Sequence, residues 1–255
     1  MASDRSSAGD PARTLALLWG VSAEEKPGRR GPRQAKSPAE IAAAAIVIAD
    51  AEGVDAVTMR RVAQELGVSP MALYTYVPGK AELLDLMLDT VYAAVPRTAP
   101  VDEGWRARVT AVAEDNRALH RAHPWIAAVA TSRPPLGPGV MAKYEYELRA
   151  FEGTGLSDVD LDAALTHVLG FVGTCARMAA DERAAQQDSA MTDAQWWAAN
   201  AELLARVFDP ERYPVAARVG AAAGEAHGAA YDPDHAYAFG LARVLDGLAA
   251  LITPA

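Results

Sequence analysis

The stretch from Thr58 to Lys80, TMRRVAQELGVSPMALYTYVPGK, constrains the fold of this chain more than any other. Val62, Ala63 and Leu66 give a first short helix an apolar face. Gly67 follows where the chain must reverse, because a residue without a Cβ enters the left-handed region at little cost. Val68 and Leu73 return a second helix to the same small core, and Ala63 must be small where the two helices cross. The spacing predicts a helix-turn-helix, in which the second helix lies in the major groove of DNA. Ser37-Pro38-x-Glu40 supplies a cap, a first-turn proline and an early acid, so a preceding helix is expected from about Pro38 to Glu52, ending at Gly53. Thr58 and Ser69 cap the two short helices, and Pro78-Gly79 opens a fourth that runs to about Val95.

The outward positions of the second short helix are Ser69, Met71, Ala72, Thr75 and Tyr76. Methyl-bearing side chains suit thymine methyls, and hydroxyls suit base edges or phosphates. Arg60 and Arg61 stand at the start of the helix before it, where one of them is expected to reach a guanine or a phosphate. Tyr74 is expected in the core. Upstream, Gly28-Arg29-Arg30-Gly31-Pro32-Arg33-Gln34 spaces arginines with Gly and Pro. Arg29, Arg30 and Arg33 in that run suit a narrow minor groove, the bland reading being a solvated tail.

The run from Ile41 to Leu84 resembles the N-terminal domain of the tetracycline-repressor (TetR) family. The resemblance rests on the helix-turn-helix spacing, on Leu73-Tyr74-x-Tyr76-Val77 and on Lys80. Phe239–Ile252, FGLARVLDGLAALI, resembles the last helix of that family's C-terminal domain. The resemblance implies phosphate contacts at Thr58, Tyr76 and Lys80, and base reading from the second short helix and the start of the first. Pro70 and Met71 replace small polar residues common in the family, so no operator sequence carries over.

Composition bears on the partner. The net charge of −9 argues against DNA binding until it is divided. Between Lys26 and Lys80 eight basic residues face five acidic ones, a local balance of +3 that leaves −12 elsewhere. A positive head docks on phosphates while an acidic body is pushed off the duplex. No apolar run approaches the ~20 uncharged residues that cross a bilayer, and a single cysteine, Cys175, excludes an internal disulfide framework. A cytoplasmic protein is expected.

Beyond the head, helical patterns alternate with Pro/Gly breaks and no strand is expected. Helices are predicted near Trp105–Ala122, Pro124–Thr131, Gly139–Phe151, Ser157–Glu182, Asp193–Phe208 and Pro233–Thr253. Ala184–Met191 and Asp209–Tyr231 read as looser connectors. The expected architecture is all-α, with a flexible basic arm over 1–37, a three-helix DNA-binding head over 38–84, and a helical ligand-binding and dimerisation body over 85–255. Leu15–Trp19 is an apolar island inside the arm, suited to one helical turn or a docking peg.

Candidate ligand-facing residues of the body are Asn116, His120, Trp125, Tyr144, His167, Phe171, Arg177, Met178, Trp196 and Trp197. Each taken alone suits ordinary core or surface, and a pocket among them is what the family resemblance implies. Gly170, Gly173 and Ala176 form a small-residue stripe. With Gly240, Leu241, Val244, Leu248 and Leu251 they make a candidate dimer surface, although burial within one chain explains them equally well. No phosphate-binding glycine loop or nucleophile elbow is present, so no enzyme and no cofactor is expected. His120 and His123 lack a third ligand, so no metal is expected either.

The expected function is a homodimeric repressor, released from a palindromic DNA operator by a small-molecule effector. An antibiotic or aromatic metabolite, controlling export or resistance, is the expected effector class, with sugars, lipids and acyl thioesters as alternatives. An activator or ligand-independent regulator, and a helical small-molecule-binding protein without specific DNA binding, are the competing readings.

Overall fold

A computed structural model describes residues 9–21, 36–97, 103–129, 133–228 and 231–252. Eleven α-helices run through them: α1 (Pro11–Trp19), α2 (Pro38–Glu52), α3 (Met59–Glu65), α4 (Pro70–Tyr74), α5 (Lys80–Ala93), α6 (Trp105–Ala122), α7 (Pro138–Arg149), α8 (Asp158–Ser189), α9 (Asp193–Val207), α10 (Pro214–His227) and α11 (Pro233–Ala249). Among the described residues there is no strand.

The helix starts are chemically explicit. Ser37 and Glu40 form a reciprocal capping box on α2, with Ser37 N donating to Glu40 Oε2 at 2.8 Å. Thr58 and Ser69 cap α3 and α4 by accepting Arg61 N at 3.1 Å and Ala72 N at 3.2 Å.

Two apolar cores follow. The first joins α2 to α5 through Ile41, Ala45, Val62, Ala63, Leu73, Val77 and Leu84, and extends to Trp125 and Ile126. The second joins α6, α8 and α11 through Val109, Val112, Leu165, Val168, Tyr237 and Leu241. The helix α5 spans from head to body, packing on α2 at one end and on α7 along its length. Its crossing with α7 is close: a Cβ on Gly139 would lie 2.0 Å from the Asp89 carbonyl oxygen. The buried Asp89 carboxylate accepts Val140 N at 2.9 Å at the start of α7.

Four expectations change. Residues 11–19, placed in the flexible arm, form α1, with Leu18 buried in the first core and Trp19 Nε1 donating to Leu136 O at 2.8 Å. Asp10 caps that helix and Gly20 ends it at φ 63°. The stretch Ala184–Ser189, read as connector, continues α8; its Ala, Gln and Asp residues lack apolar periodicity, and high helix propensity around them carries the turn. Within Asp209–Tyr231, α10 forms over fourteen residues despite Gly220 and Gly224, started by Pro214. Pro124–Ala128 is a short 3-10 turn rather than an α-helix to Thr131, which lies outside the described residues.

α8, at 32 residues, is the one described helix long and apolar enough by composition to cross a bilayer, with a mean hydropathy of 1.2 in an 18-residue window. One of its faces is committed to the second core, against α6 and α11.

Candidate nucleic-acid interface and ligand cavity

α3 and α4 meet through the turn at Gly67, whose φ of 67° lies in the left-handed region, and Val68 N closes it on Ala63 O at 3.0 Å. Val62 and Ala63 are fully buried beneath the crossing and Leu73 and Val77 complete the seat. With positions 73 and 77 facing in, the opposite side of α4 faces out. Ser69, Ala72 and Thr75 are exposed, and Met71 is 77% exposed. Tyr74, expected in the core, is 46% exposed, whereas Tyr76 is half-buried and packs on the first core. The tyrosines exchange roles because Tyr74 lies one turn from Met71, on the outward face.

The two arginines of α3 also separate. Arg61 donates to Glu65 at 2.8 Å and to Glu52 at 3.0 Å, and these hydrogen bonds raise its pKa further. It ties the end of α2 to α3. Arg60 is exposed and carries no hydrogen bond or ion pair to the described residues. Thr58 is exposed with its hydroxyl oxygen engaged as the α3 cap, and Lys80 is half-buried at the first residue of α5. Arg29, Arg30 and Arg33 lie outside the described residues.

Polar groups tie head and body at Asp50. Asp50 Oδ1, near the end of α2, accepts Trp125 Nε1 at 2.8 Å and lies 2.8 Å from His123 Nδ1. Trp125 is thus a joint residue rather than a pocket wall.

The remaining ligand candidates scatter. Asn116 is buried and donates to Glu147 at 2.6 Å, in a network with Lys143, the latter lying over the Tyr92 ring. Burial, with the nearby Glu147, pushes the Tyr92 phenol up to about 12. Tyr144 is exposed and donates to Asp162 at 2.6 Å. His167, Arg177 and Met178 are exposed on α8, and Phe171 packs beside Tyr237. Trp196 and Trp197 stand edge to face on α9, with Trp197 on a groove shared with α10. Long polar or aromatic side chains on a helix announce burial or exposure only through the partner face, which their own spacing does not reveal.

His120 alone of the ten lines a cavity of about 70 Å³ between α6, α8 and α11. Sequence reasoning missed its other walls: Arg117 and Arg121 on α6, Cys175, Ala179 and Arg183 on α8, and Asp234 and Tyr237 on α11. Ala176, assigned to the dimer stripe, also lines it. The signal was present as Arg117, His120 and Arg121 at helical spacing on one face of α6. Burial, then Lys143 and Arg177, depress the His120 imidazole to about 4, so it is neutral near pH 7. Its Nδ1 is buried without a hydrogen-bond partner, and the buried Tyr237 hydroxyl faces the Glu114 carboxylate. Burial raises the Cys175 thiol, which keeps it protonated and unreactive.

The expected dimer stripe divides. Leu241 and Leu248 are buried in the second core, Val244 packs against it, and Gly240 lies under Phe171, where a Cβ would meet ring atoms at 2.5 Å. These positions serve the fold of one chain, because α11 must face α8 before it can face a partner. Gly170 and Leu251 remain exposed and Gly173 is half-buried. Exposed apolar side chains gather instead on α9 and α10, where Trp196, Leu203, Val207, Val215 and Val219 face outward and no residue of described burial in either helix is buried.

The chain is similar to known proteins in both of its parts. A family model described as bacterial regulatory proteins, tetR family, matches residues 41–87, and one described as tetracyclin repressor-like, C-terminal domain, matches residues 97–252. The HTH-type transcriptional repressor DrrR1 of Streptomyces coeruleorubidus is 42% identical over 250 residues, covering 98% of this chain and 89% of that one. The crystal structure of apo ActR from Streptomyces coelicolor superposes with a TM-score of 0.69 at 27% identity, over 86% of this chain and 97% of that one. ActR in complex with actinorhodin gives 0.70 at 27% identity, over 85% and 97%.

Proposed function

The chain belongs to the tetR family of bacterial regulatory proteins, and on that premise we propose that it is a homodimeric repressor whose palindromic operator is released when a small molecule fills the cavity between α6, α8 and α11. The observation that carries the reading is the outward face of α3 and α4, where an unengaged Arg60 stands with exposed Met71, Tyr74 and Thr75 over a fully buried seat. Side chains held by a rigid seat and presented together are what base and phosphate contacts require. Two half-sites demand two heads. A second copy is the occupant that fits the apolar limb of α9 and α10, since so large an exposed apolar surface is unusual on a lone chain.

Release follows from the joint. The last residues of α6 wall the cavity and lead directly to His123 and Trp125, which hold Asp50 of the head. A ligand that shifts the end of α6 shifts the head with it. A coupling of ~3 kcal/mol, about 150-fold in affinity, suffices for release. ActR, the related protein solved with actinorhodin, supports a small-molecule effector, and DrrR1 supports repression as the sense of control.

Mobility-shift titration against DNA upstream of the gene tests the reading. A complex that resists excess nonspecific duplex is expected, with two chains per palindrome. Equal binding to every sequence would overturn it.

A further inference from the structure

The cavity beneath the joint has a polarity of its own. Its inner wall is apolar, formed by Val172, Ala176, Ala179 and the Tyr237 ring, and it ends at His120 Nδ1, which has no hydrogen-bond partner, and at the Tyr237 hydroxyl, which faces the Glu114 carboxylate. Three arginines, Arg117, Arg121 and Arg183, ring its mouth. The Arg117 guanidinium is fixed 3.8 Å above the Tyr237 ring, so one of these charges is held in place before any ligand arrives. The carboxylate of Asp234 takes both Arg117 and Arg121, the latter at 3.0 Å, while its side chain is 77% exposed. Glu114 stands farther off, 3.9 Å from Arg117. An exposed carboxylate bridging two arginines occupies the place of an anion from solution, because guanidinium groups pair with any planar carboxylate that reaches them.

Resting on the effector reading above, we propose that this cavity takes an aromatic acid, whose ring lies along the apolar wall, whose inner hydroxyl or carbonyl oxygens meet His120 and Tyr237, and whose carboxylate displaces Asp234 from Arg117 and Arg121. The neutral imidazole suits such a partner, since Nδ1 accepts from a hydroxyl in one tautomer and donates to a carbonyl oxygen in the other. Burying a ligand amine among three arginines would cost repulsion, so a cationic analogue is disfavoured. Displacement has a mechanical result. Asp234 sits in the first turn of α11, and its loss of Arg121 unties α11 from α6 two residues before His123 at the joint.

The experiment uses the full-length protein and three matched single-ring probes: 4-hydroxybenzoate, its carboxamide and its aminomethyl analogue. Calorimetry is expected to give the carboxylate at least about tenfold tighter binding than either analogue, the worth of one charge-assisted pair. Arg121→Gln should remove that advantage while leaving carboxamide binding unchanged. Asp234→Asn should move the carboxylate the other way, tightening it by about threefold or more as a competitor is lost. Both substituted side chains are largely exposed, so the fold tolerates them. Equal or tighter binding of the carboxamide or amine, a shared direction for the two variants, or no binding of the carboxylate would each overturn the proposal. The same samples on operator DNA keep the two readings apart. If the acid binds as stated and the operator stays bound, the site assignment stands and the effector reading fails.

Discussion

Arg60 and Arg61 are neighbours in the chain, yet Arg61 is engaged by Glu52 and Glu65 while Arg60 faces solvent. Arg60→Ala should therefore weaken operator binding across sequences and lower the salt slope by about one, read from mobility shifts at several salt concentrations. Arg61→Ala should instead lower stability slightly in urea melts and leave the salt slope unchanged, because exposed ion pairs contribute little. At His120 the consequence is in pH. Its folded pKa of about 4 lies below the ordinary 6.5, so between those values the unfolded chain binds the extra proton. The stability is complete above about pH 6.5 and is lost as pH falls toward 4. At pH 5 the loss is on the order of 2 kcal/mol. Urea midpoints of the protein and of His120→Gln at pH 7.5 and 5 should diverge by that amount, the parent losing more. Parallel losses would show that the imidazole is not held neutral.

Among the elements, the crossing of α5 and α7 is the least forgiving. Gly139→Ala sets a methyl against the Asp89 backbone and should cost about 1–3 kcal/mol or more in thermal or urea unfolding. The head was legible in the sequence because every local signal there agrees. Ser37, Thr58 and Ser69 cap, Pro38 and Pro70 start, Gly67 turns, and the buried set Val62, Ala63, Leu73 and Val77 follows from spacing alone. The signals of α1 were equally explicit in Asp10, Pro11 and Gly20, but the Ser-, Gly- and Pro-rich composition around them masked a helix of nine residues. The cavity was less legible for a different reason. A wall assembled from α6, α8 and α11 depends on how three faces are rotated toward each other, and periodicity fixes each face only relative to its own helix. His120 was found because a histidine is conspicuous, while nothing in residue type singled out Arg117 and Arg121. The same ambiguity sent Leu241 and Leu248 to a partner when α8 claimed them first.

At the scale of the whole molecule, α9 and α10 carry apolar side chains that no described part of their own chain covers. Leu203→Glu, together with Val207→Glu, should leave the helical content unchanged and shift sedimentation toward a single chain, with operator affinity falling in step. A variant that stays dimeric would place the interface elsewhere. The limb also bears on gene dosage. If only a second copy shelters it, the abundance of working repressor rises as the square of the chain concentration at low expression. Growth that dilutes the chain twofold would then cut the working species about fourfold, and unsheltered copies would present proteases with accessible apolar helices. Transcription would escape at a threshold of copy number as well as of ligand, so a daughter cell inheriting few chains starts with its target genes switched on.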